Sequence, residues 1–146
     1  MGSTGPAASS DAVRARMKRQ RRRDTAAELA VRQRLHAAGV RYRVDVRLEH
    51  DLRVRGDIVW AGLRVVAFID GCYWHGCPLH TTSPKANARW WRAKLDDNIA
   101  RDRWADTVLT SRGWRVLRFW EHEDPDRVVS KIRYELVERR DTEKRG

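Results

Sequence analysis

The run "VVAFI", residues 65–69, constrains the fold more than any other stretch of the chain. With Leu63 ahead of it and Asp70 behind, it is apolar nearly throughout and has no polar face to offer water. Such a segment reads as a central strand, Leu63 to Ile69, covered on both faces. A preceding "DIVW" and the intervening "AG" make it the second arm of a hairpin with a tight turn. A strand buried on both sides needs helices above and below, and the rest of the chain supplies them.

"DTAAE" carries a capping box, with Thr25 as N-cap and Glu28 three residues on. The helix it starts is expected to run to about Ala38, burying Val31, Leu35 and Ala38 and stopping at Gly39. "VRYRVDVRL" alternates, placing Val40, Tyr42, Val44, Val46 and Leu48 on one face of a half-buried strand. A long helix is predicted over residues 87–112, with Trp91, Leu95, Ile99, Val108 and Leu109 as its stripe and Gly113 closing it. "WRVLRFW" is a fourth strand, and Asp124-Pro125 begins a last helix that buries Val129, Ile132 and Leu136. The order helix, three strands, helix, strand, helix predicts an α/β fold in which helices flank a mixed sheet.

At 146 residues the chain is most simply one domain. Residues 1–23 carry seven basic residues and one acid, and read as a flexible basic tail ahead of a domain spanning 24–140. No window approaches 18 consecutive apolar residues, and the N-terminus lacks the apolar core of a secretory signal. These features predict a cytosolic protein without membrane association, in which two cysteines stay reduced or bind metal. The 31 Lys and Arg against 20 Asp and Glu give a net charge of +11. Arginine dominates, including Arg21, Arg22 and Arg23 in the tail, and suits bidentate contacts to phosphate and guanine. Seven tryptophans among so many arginines also suit stacking on bases. A nucleic-acid partner is the expectation, against a merely solvated basic surface.

The stretch "DGCYWHGCPLH", residues 70–80, begins where the buried strand ends. Cys72, Cys77 and His80 form a C-x4-C-x2-H cluster, three of the four ligands of a closed tetrahedral zinc site. The fourth is expected from His122, just after the fourth strand, provided that strand neighbours the buried one. His75 is the competing ligand, and a disulfide or free thiols the alternative to zinc. Asp57 at the start of one hairpin strand and Asp70 at the end of the other can converge on a hard cation such as magnesium. His75, if not a zinc ligand, can act as general base for an attacking water.

The blocks "RRRDTAAE", "RGDIVW", "FIDGCYWHGCP", "NARWWRAKLDDNIARDR" and "GWRVLRFWEHE", in order over residues 14–135, resemble the Vsr family, the very-short-patch-repair DNA mismatch endonucleases. The resemblance implies a restriction-endonuclease-type fold with a structural zinc site. It also implies a magnesium-dependent nick 5′ to the thymine of a T·G mismatch, the lesion left by deamination of 5-methylcytosine. By the same resemblance Asp57 is the metal-binding catalytic aspartate and His75 the catalytic histidine. Ile69 stands where a backbone carbonyl meets magnesium, and Glu28 matches an acid near the scissile phosphate besides its place in the capping box. Asp70, already a candidate second magnesium ligand, stands at a position that can be histidine in the family. Cys72, Cys77, His80 and His122 match the zinc site, with His122 replacing what can be a cysteine. Tyr73, Trp74 and Trp91 match aromatics that wedge into DNA, although Trp91 also lies on the apolar stripe of its helix. Implied partners are mismatched double-stranded DNA, mismatch-repair proteins and a repair polymerase; implied localisation is a bacterial-type cytoplasm, on the nucleoid when acting. One domain with one site favours a monomer. The competing readings are a zinc-stabilised DNA-binding module without catalysis and a same-fold nuclease acting on another DNA structure.

Overall fold

The computed structural model describes residues 25–71 and 88–145. Along them run α1 (Ala26–Ala37), β1 (Arg43–Arg47), β2 (Arg55–Trp60), a 3-10 turn (Ala61–Leu63), β3 (Val65–Asp70), α2 (Ala88–Ser111), β4 (Arg115–Trp120) and α3 (Pro125–Arg145). The element order is the expected one, and α3 continues past residue 140. Among the described residues no helix is long and apolar enough to cross a membrane.

The strands form one sheet in the order β1-β2-β3-β4. β1 and β2 are antiparallel, as are β2 and β3, whereas β4 runs parallel to β3 with Asp70 opposite Trp120. All six residues of β3 are buried, as its apolar run requires. Ile58, Trp60, Val65, Ala67, Ile69, Leu117 and Phe119 pack on one face against Val31 and Leu35 of α1 and Val128, Val129, Ile132 and Leu136 of α3. On the other face Val59, Val66 and Phe68 pack with Leu48, Leu52, Trp114 and Leu109 of α2. The sheet is therefore the middle layer of three.

Local chemistry sets the helix ends. Thr25 Oγ1 accepts the Glu28 N–H at 3.3 Å, and Asp124 Oδ1 accepts the Asp126 N–H at 3.0 Å ahead of α3. Gly39 and Gly113 stop their helices at φ 76° and 92°. The next residue in each case reaches back five positions, Val40 N–H to Leu35 O and Trp114 N–H to Leu109 O.

Three local expectations are corrected. Ala38 caps α1 and is exposed, since the chain leaves helical geometry there. The hairpin turn is a 3-10 turn ending in left-handed Arg64 (φ 55°), so β3 starts at Val65 and not at Leu63. The alternating segment does not keep one face. Asp45 takes a left-handed conformation (φ 51°), which aspartate tolerates better than most residues. That breaks the two-residue period: Val40 and Tyr42 pack on the α1/α3 side, Val46 and Leu48 on the α2 side.

Gly56 in β2 has no room for a side chain. A Cβ there would lie 2.5 Å from Val66 Cγ2 and 2.6 Å from Val59 Cγ2. Gly56→Ala is expected to destabilise the protein by about 1–3 kcal/mol through overpacking. Thermal denaturation checks this, and an unchanged Tm would show that β2 yields without cost.

Candidate active site

The site grows from the place where β2 leaves β3. The last backbone pair of that ladder is Ile58 with Ala67. Beyond it the Asp57 side chain takes over the partner's part, and its Oδ2 accepts the Ile69 N–H at 2.8 Å. In an extended strand a residue's N–H and C=O point to the same edge. The Ile69 carbonyl therefore looks toward the Asp57 edge, while the Asp70 carbonyl is turned to β4 and accepts the Glu121 N–H at 2.9 Å. Asp57 also lies opposite left-handed Asp45, between the pairs Val44–Ile58 and Val46–Gly56. The backbone is thus irregular on both sides of this carboxylate.

Burial pushes the Asp57 carboxyl up to about 7, and the negative charges of Glu28 and Asp70 push the same way. The Ile69 N–H and the Arg118 guanidinium oppose them without cancelling them. A half-buried carboxylate among other acids is costly as an anion and gains most from a cation. Its oxygen and the Ile69 carbonyl are hard donors suited to magnesium. Glu28 is buried in the first turn of α1. Its backbone N–H serves the cap, and its carboxylate acts electrostatically on Asp57.

Asp70 is buried and held by Arg118, whose Nη1 lies 3.1 and 3.0 Å from its two carboxylate oxygens. The Arg118 Nε bonds both Asp106 oxygens at 2.7 and 2.9 Å, and Asp102 lies 3.9 Å away. The two aspartates have different partners: Asp57 accepts the Ile69 N–H, and Asp70 meets the Arg118 guanidinium. Among the described residues no group of three or more His, Cys, Asp or Glu is gathered as a ready metal cage.

Trp91 is 1 % exposed, on a buried α2 stripe with Leu95, Asn98, Ala105 and Leu109. This burial favours the core place that its helical stripe offered over a role as a DNA wedge. His122 follows β4 by two residues, and β3 and β4 end side by side, the condition set for His122 as a fourth zinc ligand. Arg21, Arg22, Arg23, Cys72, Tyr73, Trp74, His75, Cys77 and His80 lie outside the described residues.

The sequence reading missed Arg118, Asp102 and Asp106. A signal was present: Arg118 interrupts an apolar strand that lies parallel to a buried neighbour, and Asp102 and Asp106 stand one helical turn apart. What it lacked was the pairing of β4 with β3 under α2.

The family model described as DNA mismatch endonuclease Vsr matches residues 9–80. The type II nicking enzyme V.NaeI of Lentzea aerocolonigenes is 44% identical over 118 residues, covering 80% of this chain and 71% of the relative. V.XorIIP of Xanthomonas oryzae pv. oryzae, also a type II nicking enzyme, is 38% identical over 75% of this chain and 79% of its own. The DNA mismatch endonuclease Vsr of Escherichia coli K12 is 37% identical over 68% of this chain and 62% of its own. With a three-layer mixed sheet that brings an acidic edge to the end of its buried strand, the chain belongs to the Vsr family of DNA endonucleases.

Proposed function

We propose that this endonuclease nicks one strand of double-stranded DNA 5′ to the thymine of a T·G mismatch, in a reaction that depends on magnesium. The observation that carries the reading is the Asp57–Ile69 edge, a charge-starved carboxylate beside a backbone carbonyl at the end of a buried strand. Asp57 and the Ile69 carbonyl would hold the cation. Bound magnesium supplies polarisation of the phosphodiester and compensation for the charge that builds on it. The negative charge of Glu28 acts on Asp57 and adds to the acidity of this edge. His75 takes the proton of the attacking water, and the basic tail with Arg21, Arg22 and Arg23 tracks the phosphates.

Zinc held by Cys72, Cys77, His80 and His122 would be structural. The side-by-side ends of β3 and β4 support it, because they put His122 next to the point where the chain enters the cysteine segment. Tyr73 and Trp74 on that segment are the remaining wedge candidates. Prying open one base step costs a few kcal/mol in matched DNA and less where pairing is already weak. An aromatic wedge converts that difference into preference, and each stacked base returns about 1–3 kcal/mol.

Incubation with magnesium and T·G or T·A duplexes tests the reading by the nicked product. Nicking confined to T·G supports it, equal nicking of both points to a same-fold nuclease with another target, and binding without nicking leaves a DNA-binding module. Trp74→Ala is expected to lose most of the preference for T·G while its nonspecific binding barely changes. Discrimination that survives in this variant would reassign the wedge to Tyr73.

A further inference from the structure

Arg118 sits on β4 facing α2 and gathers three carboxylates around one guanidinium. Its Nη1 spans both oxygens of Asp70, its Nε spans both oxygens of Asp106, and Asp102 stands 3.9 Å from Nη1. The guanidinium also lies over the Phe68 ring, 4.2 Å from its centroid. Contacts to β3 and α2 at once leave the side chain little freedom to turn away. Asp70 is the carboxylate next in sequence to Ile69, and it points to the α2 side of the sheet, as Val66 and Phe68 do. Without Arg118 it would be a buried anion close to Asp57, whose own charge it already disfavours.

We propose that Arg118 is a positioning residue that withholds Asp70 from the catalytic cation, so that Asp57 is the one aspartate of the β2–β3 pair offered to it. This inference rests on the reading of Asp57 as the cation's carboxylate. A planar fork suits the task, since it can bond Asp70 and Asp106 with separate nitrogens, which a lysine cannot do. The consequence for chemistry is placement. A cation shared between two aspartates would sit where both reach it, and a cation held by Asp57 and the Ile69 carbonyl sits at the strand edge. Releasing Asp70 would therefore bind the cation more tightly and in the wrong place.

Calcium titrated calorimetrically into the full-length protein reads cation affinity without turnover, and magnesium-dependent nicking is measured alongside. Asp70→Asn is expected to weaken calcium binding only slightly, by the loss of one nearby negative charge, because Asp70 is not a ligand. Arg118→Gln is expected to bind calcium about tenfold more tightly, through one more carboxylate at the site, while its maximal nicking rate falls. The double variant Arg118→Gln/Asp70→Asn should return to the wild-type affinity. A merely structural Arg118 would lower Tm without tightening the cation. Tenfold weaker binding in Asp70→Asn would overturn the proposal by making Asp70 a ligand, and this variant decides even if Arg118→Gln does not fold. Wild-type affinity in Asp57→Asn would overturn the cation reading itself, an outcome distinct from an effect confined to Asp70.

Discussion

Asp57→Asn is expected to abolish nicking, a loss on the order of 10³-fold or more, while DNA binding stays intact. The amide keeps the shape of the carboxylate and can still accept the Ile69 N–H, so the strand edge survives. What disappears is the anion proposed to hold the cation. The same substitution should stabilise the metal-free protein. The Asp57 carboxyl stands at about 7 in the folded chain against 3.8 in its ordinary state. Because the raised value belongs to the folded state, that state binds the proton more tightly than the unfolded one. The associated stability is full below about pH 4 and is lost as pH rises toward 7. In magnesium-free buffer at pH 8 the anion costs on the order of 3 kcal/mol, which the amide avoids. Thermal denaturation across pH 4–8 checks this: Asp57→Asn should show a higher Tm at pH 8 and a flatter profile. A lower Tm at every pH would mean that burial and neighbouring acids do not burden this carboxylate.

His75→Ala is expected to cost about 10²–10⁴-fold in nicking rate, the usual worth of a positioned general base. Zinc content and Tm should stay at wild-type values, because the zinc set proposed here is Cys72, Cys77, His80 and His122. Metal analysis of the purified variant decides between the two roles that the spacing "CYWHGCPLH" allows. If His75→Ala loses zinc and melts early, His75 is a ligand and the proton acceptor must be sought elsewhere. If it keeps zinc and loses turnover, the base assignment stands. Structural zinc contributes folding free energy directly, so the two outcomes differ globally and not only at the site.

The acidic edge at Asp57 is inseparable from the fold around it. Gly56 lets β2 approach Val66, Asp45 kinks β1 opposite Asp57, and β2 then parts from β3 so that a side chain replaces a backbone partner. The edge lies at the C-terminal end of β3, the end of its parallel pair where open α/β sheets place their ligands. At the same end of the sheet the Asp70 carbonyl accepts the Glu121 N–H, one residue before His122.

Much of this was determined by the sequence alone, because it depends on periodicity and on chemistry within a few residues. The run Val65 to Ile69 could only be a strand covered on both faces, Thr25 could only cap a following helix, and Gly39 and Gly113 stopped their helices where predicted. The juxtaposition of Asp57 with the end of β3 was legible too, since a short hairpin leaves little choice of partner. The tertiary structure decided what depends on which faces meet. It buried Trp91, which the helical stripe had left between core and DNA, because α2 presents that stripe inward. It split the residue 40–48 segment between two layers, because one left-handed backbone at Asp45 turns every later side chain over. It also gave Asp70 to Arg118, residues 48 positions apart whose meeting follows from the parallel pairing of β3 with β4. Local patterns record which surfaces a segment must hide; only packing selects the partner against which each is hidden.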